Sequence, residues 1–485
     1  MYSEQELIRR AKLDRLRESG NDPYLITKFP VTVTSAQIHA RFGELDGQDV
    51  TIAGRALSRR VMGKAAFAHL LDGGGTIQVY VRRDDVGEEA FAAFKDWDIG
   101  DVIGVEGFAF RTQKGEVSVH ARKLTLLSKS LKPLPEKFHG LQDTDLRYRQ
   151  RYVDLIVNPR SREVFVKRAK IIAALREFLD GRGFLEVDTP ILHTLETGAA
   201  ARPFKTRHNT LDIPMYLRIE LELNLKRLIV GGFDRVYEVG RIFRNEGMDQ
   251  RHNPEFTMIE TYQAYADYND VMRMVEEMHE YVAMKVLGTT DVVYQGELVR
   301  LAAPWKRVSM TEAAREASGI DPESWADDAA ARAELSGKGV HVERDASRGD
   351  CLDALFEAFA EPSLRQPTFV TEYPVEISPL AKRVPGNPRL TERFEYFMLG
   401  GEYGNAFSEL NDPIDQRERF ERQVAARRAA NDGRDPRVDE DYLDALEYGM
   451  PPTGGLGFGV DRLVMLLTDS PSIRDALLFP TMKPR

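Results

Sequence analysis

A single cysteine, Cys351, stands among 485 residues. One thiol excludes an intramolecular disulfide and any zinc site built from several cysteines, and it suits a reducing compartment, so a cytoplasmic location is expected. Long apolar runs are missing as well. The most apolar stretches, "RLVMLL" and "DALLF", fall far short of the ~20 residues a bilayer span needs, so no membrane crossing is expected. The opening "MYSEQELIRRAKLDRLRESG" has no apolar core of a secretion signal and reads as an amphipathic helix. The common nucleotide cradles are absent too: no GxxxxGK[ST] loop occurs, and "GGLGFGVD" misses the GxGxxG spacing. Neither GxSxG nor HExxH appears. Any nucleotide chemistry here needs another kind of site.

What is present is the balance of a globular protein, with 42% hydrophobic and 30% charged residues, long enough for two to four domains at ~150 residues each. A net charge of -10 disfavours a grip on nucleic acid over the whole surface, though it leaves room for a local patch. From Val50 to Leu127 the chain alternates in short stretches separated by "MGK", "DGGG" and "TQKGE". That spacing predicts five strands with tight connections, as in a small OB-type barrel. A helical segment over 1–45 precedes a barrel domain over 46–130. The Pro-containing "SKSLKPLPEKFHGL" marks a linker within 131–160. A larger α+β domain is expected over 161–485. It opens on a helix with Val164, Ile171, Ile172, Leu175, Phe178 and Leu179 at helical spacing, and it carries a helical insertion at about 285–365.

Four constellations carry chemistry. In "FRNEGMDQRHNPEF" (243–256), Arg244 follows the apolar pair Ile242 and Phe243 and could meet a phosphate with paired hydrogen bonds. Glu246, Arg251 and His252 lie in the turn, and Phe256 offers a ring for a base. A salt-bridged hairpin would use the same charges. The second constellation is Glu395 and Glu402, in "RFEYFMLGGEYGNAFSELND", two hairpin carboxylates that could hold Mg2+ together with triphosphate oxygens, or simply face solvent. The third comprises Glu222, Glu260, Tyr262, Asn405 and Glu409. Buried carboxylates need a cation, and an ammonium ligand supplies three donors, but Lys226 or Arg218 could serve from within the protein. The fourth, "GGLGFGVDRLVMLL", lets a strand pass close beneath a ligand and puts Arg462 at a helix start.

Together these segments resemble class II aminoacyl-tRNA synthetases, most closely the bacterial lysyl-tRNA synthetase family, from about Asp22 to the end. "GFLEVDTPIL", "RVYEVGRIFRNEGMDQRHNPEFTMIETYQAYADY" and "GGLGFGVDRLVMLL" are similar to the three ordered motifs of that class. The resemblance implies an antiparallel sheet flanked by helices, a homodimer joined through the first motif, and ATP, L-lysine and tRNA(Lys) as partners. It assigns Arg244 to the α-phosphate and the amino-acid carboxylate, and Phe256 and Arg462 to the two faces of adenine. Glu246, Arg251 and His252 fall to adenine or the γ-phosphate, and Glu395 and Glu402 to magnesium. Glu409, Tyr262 and Asn405 surround the lysine side chain and carboxylate, with Glu222 and Glu260 near its α-amino group. In the barrel, Arg60, Phe67, Gln78 and Glu116 fall at anticodon positions, although Phe67 could equally be barrel core. The family's Ala-Pro-Glu-Leu becomes "IELEL" here (219–223), which puts Glu220 and Leu221 in place of a small residue and proline. An aspartate or asparagine enzyme, a paralogue that ligates lysine to protein, and an inactive RNA-binding copy are the competing readings. Retention of Arg244, Arg462, Glu395 and Glu402 speaks against the last.

Overall fold

The computed structural model describes residues 2–135, 141, 143–196, 201–429 and 437–484. Part of the expected linker, Glu136–Gly140 and Gln142, lies outside the described residues. The chain divides into two compact units, Met1–Pro159 and Arg160–Arg485.

The first unit opens on the helix Glu4–Glu18, which Ser3 and Glu6 close with a reciprocal capping box. Five strands follow: β1 (Asp49–Met62), β2 (Ala65–Leu71), β3 (Thr76–Arg82), β4 (Val102–Arg111) and β5 (Val117–Ser128). They close into a barrel in the order β1-β2-β3-β5-β4. Strict alternation sorts the faces. Ala66, Ala68, Leu70, Ile77, Val79 and Val81 point inward and are almost fully buried. Phe67, His69, Gln78 and Tyr80 therefore point outward.

The second unit is built on a nine-stranded sheet. Its strands, in chain order, include β6 (Leu185–Glu186), β7 (Arg235–Phe243), β8 (Glu255–Ala264), β9 (Lys306–Ser309), β10 (Thr368–Pro374), β11 (Asn387–Met398), β12 (Gly401–Ser408) and β13 (Thr453–Gly459). They lie side by side as β9-β10-β11-β12-β13-β8-β7-β6, antiparallel except for the two edge pairs. One face packs on helices: Ile259, Phe394, Tyr396, Leu456 and Phe458 join Ile171, Leu175 and Phe178 of the Pro159–Asp180 helix and Val275 and Met278 of Tyr268–Leu287 in a single core. The other face carries the polar side chains described below.

One departure from the sequence reading is physical in origin. The stretch 285–365 holds helices at Met310–Ser318, Asp328–Gly337 and Arg348–Leu355, but also a hairpin, Asp291–Tyr294 with Glu297–Arg300, and the edge strand β9. The hairpin turns on Gln295 and Gly296, both at positive φ, the backbone of a tight two-residue turn. After β12 the chain forms helices at Pro413–Ala429 and Glu440–Glu447; the polar "DQRERFERQ" has the charge spacing of a solvated helix.

Candidate functional site

The register of the sheet aligns the site. Glu238 stands opposite Glu260, Glu260 opposite Gly457, Gly457 opposite Asn405 and Asn405 opposite Glu395, so one row of residues crosses five strands on the same face. The period of two then separates "GGLGFG" into its parts: Leu456 and Phe458 turn down into the core, while Gly455, Gly457 and Gly459 floor a cavity of about 450 Å³. Glycine is required at 455. A Cβ there would collide with Glu409 Oε1 and come within 2.6 Å of the Tyr262 ring.

All thirteen catalytic-domain residues singled out from the sequence line this cavity: Arg244, Glu246, Arg251, His252, Phe256 and Arg462; Glu222, Glu260, Tyr262, Asn405 and Glu409; and Glu395 with Glu402. At the strand-to-turn junction, the Arg244 N–H donates to Pro254 O at 2.8 Å. Its guanidinium lies 5.3 Å from the Phe256 ring centroid. The only hydrogen bond found for that side chain among the described residues is a long one, 3.5 Å, to Ile219 O, and its buried Nε has no partner. A half-buried, under-satisfied arginine facing a cavity suits an anion.

The turn beyond it is tied down by Asp249, which accepts from the Arg251 and His252 amides at 2.7 and 2.8 Å and lies 2.8 Å from His252 Nδ1. Ile473 N also donates to Gln250 O at 2.8 Å. Glu246 accepts from Arg202 N at 3.2 Å. Arg462 donates to Glu402 O and stands 3.7 Å from that residue's carboxylate.

Glu260 is buried; Leu221 N donates to one of its oxygens at 3.0 Å and the Tyr262 hydroxyl to the other at 2.9 Å. Burial, then the neighbouring charge of Glu222, pushes the Glu260 carboxyl up to about 7. Of the two internal cations considered, Arg218 is engaged elsewhere, at 2.6 Å from Glu238. Lys226 is the one that enters the acidic group, pairing with both Glu222 and Glu409. Burial opposes its charge, yet those two carboxylates hold its ammonium well above the usual lysine range. Leu221 itself is 1% exposed and Glu220 lines the same cavity, so the local departure from the family pattern places one more acid nearby.

At the other end, Arg393, which the sequence reading missed, bridges two predicted residues: its Nε donates to Asn405 Oδ1 at 3.1 Å and its Nη2 to Glu395 Oε1 at 2.6 Å. Tyr373 OH donates to the second Glu395 oxygen at 3.1 Å. Burial, followed by repulsion from Glu402, raises the Glu395 carboxyl to about 7. Among the described residues no group of three or more His, Cys, Asp or Glu side chains is disposed to hold a metal. Two adjoining carboxylates, Glu395 and Glu402, that both line the cavity do fit Mg2+, a hard cation that draws its remaining ligands from water and phosphate. At the cavity edge, Asp461 accepts from Thr257 N at 2.7 Å and pairs with Arg168 of the Pro159–Asp180 helix, locking the strand that carries Phe256 and Glu260.

In the first unit, Phe67 is not barrel core. It stands outward opposite Arg60 and Tyr80, 5.0 Å from the Tyr80 ring. Tyr80, Phe108, Phe110 and His120 continue the aromatic surface with centroids 4.8–6.2 Å apart. Gln78 donates to Glu116 at 2.7 Å and accepts from Ser118 at 2.9 Å. The four candidate residues thus share one face, and the remaining aromatics could have been found by following every second residue of β3 to β5.

Residues 143–483 match the family model for class II tRNA synthetases (D, K and N), and residues 50–127 that of the OB-fold nucleic acid binding domain. The chain belongs to the class II tRNA synthetases of this D, K and N group. Among curated relatives, a protein of Moorella thermoacetica is 57% identical over 99% of this chain and 97% of its own length, and one of Thermoanaerobacter sp. strain X514 is 56% identical over 99% and 96%. One of Clostridium acetobutylicum is 55% identical over 98% and 93%. All three are named lysine–tRNA ligase.

Proposed function

We propose that this chain is a lysine–tRNA ligase that joins lysine to ATP and then to tRNA(Lys) at the cavity lined by Arg244, Glu260 and Glu409. The observation that carries the reading is an under-satisfied arginine and a buried acidic group lining one cavity. That polarity suits a substrate with ammonium groups at one end and a reacting carboxylate near a phosphate at the other.

In the first step a lysine carboxylate oxygen attacks the α-phosphorus of ATP, the bond to the β-phosphate oxygen breaks, and pyrophosphate leaves. Arg244 holds the two reacting anions together and stabilises the charge that builds on the α-phosphoryl oxygens, a task of alignment and electrostatics with no protein nucleophile. Phe256 and Arg462 sandwich the adenine, and Glu246, Arg251 and His252 orient the nucleotide. Glu409 and Tyr262 receive the side-chain ammonium with Asn405 beside them, and Glu222 and Glu260 receive the α-amino group. In the second step the terminal ribose hydroxyl of the tRNA attacks the lysyl carbonyl, loses its proton, and AMP departs. Mg2+ held by Glu395 and Glu402 would neutralise triphosphate charge.

Outside the cavity, the outward aromatics around Phe67, with Arg60, Gln78 and Glu116, support an anticodon-reading face, since stacking grips a base and an exposed amide can read its edge. The first motif leaves Leu185, Ile191 and Leu192 exposed, which supports a homodimer joined through it. No described helix is long and apolar enough to cross a membrane, and the one thiol is a buried cysteine; both fit the cytoplasm. Charging of a lysine-accepting tRNA with labelled lysine tests the function. Acid-stable label on the tRNA that depends on ATP is expected, and its absence with active ATP-pyrophosphate exchange would redirect the second step to another acceptor.

A further inference from the structure

Lys226 is absent from the cavity wall that Glu222, Glu260, Tyr262 and Glu409 form. It sits behind that wall, fully buried at 0% exposure, with its ammonium against one oxygen each of Glu222 and Glu409 and 5.3 Å from the Phe407 ring. The helix Glu222–Val230 makes this possible, because Glu222 and Lys226 are one turn apart on its inward face. Glu409 reaches the same point from the end of β12. Its Oε2 meets Lys226, while Oε1 has no hydrogen-bond partner and lies over Gly455, with which it lines the cavity and where a Cβ would strike it.

Resting on the reading of the cavity as a lysine site, we infer that Lys226 is a specificity-determining positioning residue: a resident cation that trims three carboxylates to a net charge of about -2, the match for a ligand with two ammonium groups, and turns Glu409 Oε1 toward that ligand. The charge count gives the reason. Glu222, Glu260 and Glu409 ionised carry three negative charges, and the lysine carboxylate is met separately by Arg244. Two substrate ammonium groups leave one carboxylate over, and Lys226 takes it. Without the resident cation all three carboxylates keep their protons to higher pH, so more protons must leave before two ammonium groups can bind, and binding weakens further as pH falls. The groups that face Lys226 and enter this balance are Glu222, Glu409, Glu260, Tyr262 and Tyr442.

The test uses the full chain carrying Lys226→Met, which keeps length and loses charge, and Lys226→Arg, which keeps charge, in ATP-pyrophosphate exchange from pH 6 to 8.5. The Met variant is expected to raise the KM for lysine about 10-fold or more near neutrality, the usual scale for removing one partner of a buried charge group. The gap should widen as pH falls, and the KM for ATP should stay within about 2-fold. Lys226→Arg should keep the lysine KM within about 5-fold and the pH profile of the unsubstituted protein. Should the Met variant not fold, Lys226→Gln removes the charge while keeping a donor and carries the same expectation. A folded neutral variant with an unchanged lysine KM, or with lysine and ATP KM rising by the same factor at every pH, would overturn the inference. Absence of lysine-dependent exchange in the unsubstituted protein would instead overturn the functional reading beneath it.

Discussion

The Arg244 guanidinium lies 5.3 Å from the centre of the Phe256 ring, held at the end of β7 against the start of β8. One side chain suited to phosphate and one suited to a base are thus fixed by adjoining strands. Arg244→Ala is expected to reduce lysine-dependent pyrophosphate exchange by about 10²–10³-fold or more, the scale for one preorganised donor to a developing oxyanion. Arg244→Lys should recover little of it, since a point charge cannot replace a planar fork. Thermal unfolding serves as the control and should move little, because the arginine makes one long hydrogen bond and no ion pair found among the described residues.

Glu260 links binding to pH. Its folded-state carboxyl, at about 7, lies above the ordinary glutamate value of 4.5, so the folded chain binds more protons than the unfolded chain between those values. Stability in the absence of lysine should accordingly fall as pH rises from about 4.5 through 7. Lysine binding draws the carboxyl to its ionised form, so binding near pH 7 should release protons. Calorimetry in two buffers of different ionisation enthalpy reads this directly; release that is greatest below pH 7 and fades above about pH 8 is expected, and buffer-independent heats would contradict it.

Gly455 is the smallest residue with the largest predicted effect. A methyl group at this position meets Glu409 Oε1 and the Tyr262 ring, and the strand cannot yield because it is hydrogen-bonded on both sides, to β8 and β12. Gly455→Ala should raise the KM for lysine about 10–100-fold, as expected when a buried polar contact is displaced, with the KM for ATP changed far less. Equal changes in both would show a general distortion.

The barrel face predicts a separable defect. Phe67→Ala or Tyr80→Ala should weaken tRNA charging through KM by about 10–100-fold, the worth of one stacked base. Pyrophosphate exchange without tRNA should be unaffected. Loss of exchange in a folded Phe67→Ala protein would contradict an anticodon role.

How much of this was legible in the sequence differs from residue to residue, for physical reasons. The barrel strands and "GGLGFG" announce themselves because a period of two survives in a single chain. Arg244, Phe256 and Arg462 stood out because a cation or ring sits where local pattern does not need it. Lys226 was named only as one of two internal cations, since a lysine four residues after a glutamate is also the ordinary pattern of a solvated helix pair; the choice over Arg218 appears only in the fold, where Lys226 is fully buried against Glu409 while Arg218 pairs with Glu238. Arg393 was hidden among the charges of "LTERFEY", where its two partners, Glu395 and Asn405, become neighbours only through the register of β11 with β12. Phe67 was ambiguous until the barrel closed, because alternation says that faces differ but not which one is inside.

The central claim is that the acidic group built from Glu222, Glu260 and Glu409 selects an ammonium side chain. ATP-pyrophosphate exchange with lysine, aspartate and asparagine, compared as kcat/KM on one preparation, tests it most directly. Lysine should exceed both others by about 10⁴-fold or more, the discrimination a site built around buried polar partners achieves. Exchange supported by aspartate or asparagine and not by lysine would contradict the account.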